Sequence, residues 1–152
     1  MLIVERAQAG DSGALSDLAA RSEAHWGYDA GFMERFRTIY GLSGDFINSN
    51  PTFTAQENDR IVGFYALVEG EPVTSLEYFF IEPEYIGKGY GKELWKHMVQ
   101  SCRKFGIREL DIVTSPQAKA FYTKLGAVQV GEVESLVREG RMIPQLRYKL
   151  EE

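Results

Sequence analysis

A chain of 152 residues with 17 Lys and Arg against 22 Asp and Glu carries a formal net charge of -5, which argues against a protein that works by gripping a nucleic-acid backbone. Its length and ordinary composition fit one globular domain over residues 1–152, with ample chain for a core. The single cysteine, Cys102, excludes an intrachain disulfide and makes a cysteine-based zinc site a poor fit, so no metal is expected.

The apolar run from Met1 to Val4 is too short for a signal peptide, and no later window approaches a membrane span. The expectation is a soluble, cytoplasmic protein with neither nucleic acid nor membrane as partner. Leu2 to Arg6 reads as a first strand that exits through Ala9-Gly10-Asp11. Asp11 or Ser12 caps a helix running to Glu23, with Leu15, Leu18 and Ala19 on one face. A second helical pattern spans Asp29 to Leu42, where Phe32, Phe36, Ile39 and Tyr40 recur at helical spacing. Between them His25-Trp26-Gly27-Tyr28 places large polar-tipped side chains in a turn, read either as the wall of a substrate pocket or as a hydrophobic staple between two helices.

From Thr52 the period becomes alternating. Phe53 to Glu57 and Ile61 to Glu69 form a hairpin joined by Asn58-Asp59, and Gly70-Glu71-Pro72 turns the chain into a third strand, Val73 to Ile81. Leu94, Trp95, Met98, Val99, Cys102 and Phe105 mark the buried face of a helix that Gly106 ends, with Cys102 as core packing rather than a nucleophile. Glu109 to Thr114 is a further strand, after which Ser115-Pro116 starts a helix closed by Gly126. Ala127 to Val133 and Gln145 to Leu150 are the last two strands. The pattern predicts a three-layer α/β (or α+β) domain, with a mixed central sheet of about six to seven strands and about four helices.

The stretch from Glu77 to Leu94 is the most informative. An aromatic strand ends at Pro83, passes glycines 87, 89 and 91, and opens into the amphipathic helix. Glycines that permit positive φ and the unpaired N–H groups of a helix start together favour an anion such as phosphate. The loop lacks the GxxxxGK[ST] spacing of a P-loop, and Lys92 stands where a dinucleotide fingerprint has its third glycine.

Two motifs carry a family resemblance. Leu76-Glu77, Phe80-Ile81-Glu82-Pro83 and Gly87-Lys88-Gly89-Tyr90-Gly91 resemble the acetyl-CoA motif of the GNAT superfamily of N-acetyltransferases. Downstream, Ser115-Pro116-Gln117-Ala118, Phe121-Tyr122 and Lys124-Leu125-Gly126-Ala127 resemble that family's second signature. The chain departs from the usual pattern at Ile86, where Arg or Gln is common, and at Ser115, where Asn is common.

The resemblance implies acetyl-CoA as cosubstrate. Its pantetheine arm would pair with the backbone of Phe79-Phe80-Ile81 in a splayed part of the sheet, and its pyrophosphate would sit on the amides from Gly87 through Lys88, Gly89, Tyr90 and Gly91 to Lys92. Ile86, Ser115, Ala118, Phe121 and Lys124 would complete the cofactor site, with Phe121 also read as a core aromatic. Glu77 would accept a proton from the amine, which at a lysine-like pKa of about 10.4 is mostly protonated at neutral pH. Tyr122 would protonate the departing thiolate.

The acceptor side would be built from His25, Trp26, Tyr28 and Phe32, with Arg138, Arg141 and Met142 as further contributors. His25 is an alternative base, and the arginines would suit a carboxylate on the acceptor where the aromatics would suit a cation. By the same resemblance the acceptor would be a small-molecule or protein amine, and a homodimer is in keeping with the apolar last strands. A GNAT-fold module that binds acyl-CoA without turnover is the alternative function.

Overall fold

The computed structural model describes residues 1–150. Seven strands form one sheet in the order β1-β2-β3-β4-β5-β7-β6. They are β1 (Ile3–Arg6), β2 (Thr52–Glu57), β3 (Arg60–Val68), β4 (Thr74–Ile81), β5 (Glu109–Val113), β6 (Val128–Glu134) and β7 (Met142–Lys149). Every neighbouring pair is antiparallel except β4 and β5. Among the described residues five α-helices complete the fold: α1 (Ser12–Ala24), α2 (Ala30–Tyr40), α3 (Gly44–Ser49), α4 (Tyr90–Lys104) and α5 (Lys119–Lys124). Among the described residues no helix is long and apolar enough to cross a membrane.

Local chemistry accounts for the element ends. Asn58 and Asp59 turn the β2–β3 hairpin with φ of 51° and 63°, the left-handed conformation these two residue types tolerate best after glycine. Asp29 caps α2 by accepting the Phe32 N–H at 2.7 Å, and Ser43 caps α3 by accepting the Phe46 N–H at 3.0 Å. The sheet then separates two apolar clusters. Leu15, Leu18, Phe32, Phe36 and Ile47 of α1 to α3 cover Phe64, Tyr78 and Phe80 on one face. Leu94, Trp95, Met98 and Cys102 of α4, with Tyr122 of α5, cover Val62, Tyr65 and Leu76 on the other. The result is the expected three-layer arrangement. Cys102 is fully buried, and burial pushes its thiol up to about 12, as packing rather than nucleophilic use requires.

Four local expectations are corrected. Helix α3 is absent from the sequence reading, because six residues with one buried side chain, Ile47, are too few to display a period. Phe105 is 48 % exposed, since it caps α4 after the last turn and no longer shares that helix's buried stripe. Helix α5 begins at Lys119 rather than at Ser115-Pro116, where the Ser115 hydroxyl accepts the Ala118 N–H at 3.3 Å inside a preceding turn. Strand β7 starts at Met142 and runs through Pro144, which lies just beyond the end of the ladder with β5 at Gln145.

An ion pair ties the two halves of the fold at the head of the site. Arg21 of α1 forks onto Glu82, Nε to Oε1 and Nη2 to Oε2 both at 2.7 Å, although Glu82 is 4 % exposed. The hydrogen bond from Arg21 holds the Glu82 carboxyl below its ordinary value. A lowered carboxylate pKa contributes stability above the unfolded value and loses it as pH falls. Arg21→Ala is therefore expected to cost about 1–3 kcal/mol at neutral pH, discounted because Arg21 is half exposed. Urea midpoints of the two proteins are expected to converge as the pH is lowered from about 4.5 through the depressed folded value of Glu82.

Candidate active site

Strands β4 and β5 pair only at Thr74 with Leu110 and Ser75 with Asp111. Beyond that the strands diverge, and among the described residues the edge of β4 from Leu76 to Ile81 has no strand beside it. On its other edge β4 carries a register shift, with Tyr78 opposite Ala66 but Leu76 opposite Leu67. Glu77 is the extra residue of this bulge. That is why Leu76 and Tyr78, two apart in sequence, pack in clusters on opposite faces of the sheet.

A cavity of about 480 Å³ fills the fork. Phe79, Phe80 and Ile81 of β4 line it, as do Ser115, Ala118, Phe121 and Tyr122 from the opposite arm, so that each of these expected residues reaches the cavity. One end is formed by Ile86, Gly87, Gly89, Gly91 and Lys92. Gly89 stands immediately before α4 with φ of 88°, a conformation that leaves the first amides of the helix facing outward without a side-chain cap. A Cβ at Gly91 would lie 3.1 Å from Cε1 of Phe121, so this glycine lets the turn and α5 close on each other. Lys88, Tyr90 and Lys124 do not line the cavity. Lys88 extends over the Tyr85 ring at 5.5 Å, Tyr90 meets the same ring edge-on at 5.4 Å, and Lys124 projects from the last turn of α5.

Both expected proton-transfer residues line the cavity. Tyr122 is 6 % exposed and packs against Phe79 and Trp95 at centroid distances of 6.1 and 5.9 Å. Burial, then the negative charge of Glu23, push its phenol well above its ordinary value, with a hydrogen bond to Thr114 acting the other way. The group stays protonated at neutral pH. Tyr122 is thus the more buried of the Phe121-Tyr122 pair, while Phe121, read as the core aromatic, is half-buried and also faces the cavity. Glu77 lines the cavity and a smaller neighbouring groove, and burial followed by repulsion from Asp111 raises its carboxyl.

The acceptor side is partly as expected. Trp26 and Phe32 line the cavity, but His25 is exposed and turned aside, meeting Trp26 edge-on at 5.0 Å. Tyr28 stands one layer back. Its ring stacks on Phe32 at 4.1 Å, and its hydroxyl donates to Gln117 at 2.8 Å while accepting from Nη2 of Arg141 at 2.7 Å. Arg141 lines the cavity, whereas Arg138 is paired with Asp29 at 2.6 Å and Met142 is half exposed.

One acid in the cavity lining escaped the sequence reading. Glu23, at the end of α1, is half-buried in the cavity lining, and burial pushes its carboxyl up to about 7 against the pull of Arg141. A signal existed. Leu15, Ala19 and Glu23 form one i, i+4 row, so an acid occupies a position where the buried stripe calls for an apolar side chain.

A model of the acetyltransferase (GNAT) family matches residues 16–127. The chain belongs to the GNAT family. A comparison with curated protein sequences finds no match. Among solved structures, the chain is similar to the PaiA N-acetyltransferase of Thermoplasma acidophilum in complex with coenzyme A, at 18% identity and a TM-score of 0.80, over 98% of this chain and 99% of that one. It is similar to YncA, a putative acetyltransferase of Salmonella typhimurium with acetyl-CoA, at 16% identity and a TM-score of 0.71, over 100% and 95%. It also resembles the ribosomal-protein-S18-alanine N-acetyltransferase of Escherichia coli, at 15% identity and a TM-score of 0.73, over 99% and 94%. At these identities the likeness is one of fold. The two GNAT motifs of the sequence fall on the glycine turn and on α5, at two sides of one cavity.

Proposed function

We propose that the cleft transfers an acetyl group from acetyl-CoA to a primary amine, by direct attack while both are bound. The observation that carries this reading is the convergence of Tyr122, Glu23 and the glycine turn on one cavity at the fork of β4 and β5. The unpaired edge of β4 offers backbone groups to the amides of the pantetheine arm, and the first amides of α4 offer donors to the pyrophosphate. Catalysis then rests on holding amine and thioester together and on backbone donors to the developing oxyanion.

Glu23 accepts the proton that the ammonium must lose, and the amine nitrogen then bonds to the thioester carbon. The C–S bond breaks as Tyr122 gives its proton to the leaving sulfur, and the phenolate is reprotonated from the amine side. Of the two protons the ammonium loses, one ends on the CoA thiol by way of Tyr122 and the other leaves Glu23 for solvent, which resets the carboxylate. Glu23 is preferred to Glu77 as base because its charge reaches Tyr122 as well as Tyr40, whereas that of Glu77 acts on Tyr40 and Tyr78. A carboxyl near 7 also matches the operating pH better than an ordinary one.

The test is release of CoA thiol over a panel of primary amines. Amine-dependent release is expected from the wild type. Acetyl-CoA binding without any amine-dependent release would leave the acyl-CoA-binding module as the function. A second expectation concerns the cradle. Gly89→Val forces a β-branched residue to φ of 88°, a strain of roughly 1–2 kcal/mol or more, and will raise the Kd for CoA by about tenfold or more in calorimetry. An unchanged Kd would move the pyrophosphate off this turn.

A further inference from the structure

The acceptor end of the cavity contains a cation that, among the described residues, forms no ion pair, although Glu23 lies within its electrostatic reach. Two cationic side chains line the cavity, Lys92 at the glycine turn and Arg141 on the side of α1 and α2. Other arginines packed around the site are paired: Arg21 with Glu82 at 2.7 Å and Arg138 with Asp29 at 2.6 Å. Among the described residues Arg141 makes no ion pair, and its side chain bonds only to the Tyr28 hydroxyl at 2.7 Å.

The guanidinium is nevertheless held in place. It lies 5.0 Å from the centroid of Tyr28 and 5.3 Å from that of Phe32, two rings that stack on each other. The Tyr28 hydroxyl is itself fixed by donating to Gln117 at 2.8 Å. Packing against ring faces and one anchored hydrogen bond orient the planar fork while leaving other N–H groups available. A fork set in advance loses little freedom on binding, and its geometry matches a carboxylate bidentately.

We propose that the amine acceptor carries a carboxylate a short distance from its amine, and that Arg141 binds that carboxylate. The placing of the amine rests on the acetyl-transfer reading above. Glu23, within electrostatic reach of Arg141 in the same lining, receives the ammonium end, so the two side chains complement the two ends of an amino-acid-like zwitterion. A diamine of the same length sets its second ammonium against Arg141, a like-charge contact that opposes binding.

Matched pairs test this directly: phenylalanine against phenethylamine, and lysine against cadaverine, in wild type, Arg141→Gln and Arg141→Lys. The wild type is expected to favour the carboxylated member by about tenfold or more in kcat/KM, mostly through KM. Arg141→Gln is expected to abolish the preference and Arg141→Lys to restore part of it, with circular dichroism showing that both variants are folded. A wild type that favours the decarboxylated amines, or a ratio untouched by Arg141→Gln, overturns the proposal. Calorimetry of the carboxylated amines on the CoA-bound protein separates the two readings. Arg141-dependent binding without thiol release sinks acetyl transfer and keeps the carboxylate site, while turnover without carboxylate preference sinks the carboxylate site alone.

Discussion

Glu23→Gln is expected to lower kcat by about 10²- to 10³-fold, the range in which removal of a general base falls. The amide matches the carboxylate in size and retains hydrogen bonding, but it takes up no proton from an ammonium. The wild-type rate is expected to rise with pH through about 7 as Glu23 ionises, and the variant to lose that limb. A stability change of opposite sign accompanies the loss. The fold raises this carboxyl above its ordinary 4.5, so the native state favours the protonated form, and the favourable contribution is lost as pH rises through about 7. Above that pH the neutral glutamine removes a charge that burial penalises, and the variant is expected to be more stable than wild type by on the order of 1–2 kcal/mol. Glu77→Gln serves as the comparison, with a smaller rate loss. A larger loss for Glu77→Gln than for Glu23→Gln would return the base to β4.

Tyr122→Phe is expected to lower kcat by about 10²-fold with little change in KM for acetyl-CoA. The phenol is buried, held protonated by its surroundings, and faces the cavity. Phenylalanine fills the same space between Phe79 and Trp95, so the stability cost is limited to the polar interactions of the hydroxyl, on the order of 1 kcal/mol. A proton donor matters less when the leaving thiol is more acidic. An acetyl thioester of an acidic thiol should therefore recover most of the lost rate in the variant, whereas a merely structural defect would slow both thioesters alike.

The parts of the site that were legible in the sequence are those whose chemistry is local. Glycines 87, 89 and 91 ahead of an amphipathic helix announce an anion turn within a few residues, and two of them do adopt positive φ. Phe121-Tyr122 stands on a short helix closed by Gly126, and Glu77 on the strand before the turn. What stayed hidden depends on tertiary placement. Glu23 continues the Leu15–Ala19 row, but only the placing of α1 against the fork shows that this end of the row faces a cavity rather than solvent. The histidine of the His25 turn is carried outward while Trp26 faces in, a choice set by where α1 ends rather than by residue type. Arg138 and Arg141 are three residues apart and chemically alike, yet Asp29 claims the first and leaves the second to the cavity. The bulge at Glu77 needed the pairing with β3 to be seen, since alternation alone places Leu76 and Tyr78 on one face.

The most direct test of the whole account is a crystal structure with a non-hydrolysable acetyl-CoA analogue. The expected complex has the pyrophosphate on the amides of Gly87 to Lys92, the pantetheine arm along the free edge of β4, and the sulfur within hydrogen-bond reach of the Tyr122 hydroxyl. Glu23 and Arg141 would face the acetyl group from the acceptor side. A pyrophosphate bound away from the glycine turn, or a thioester turned away from both Tyr122 and Glu23, would contradict it.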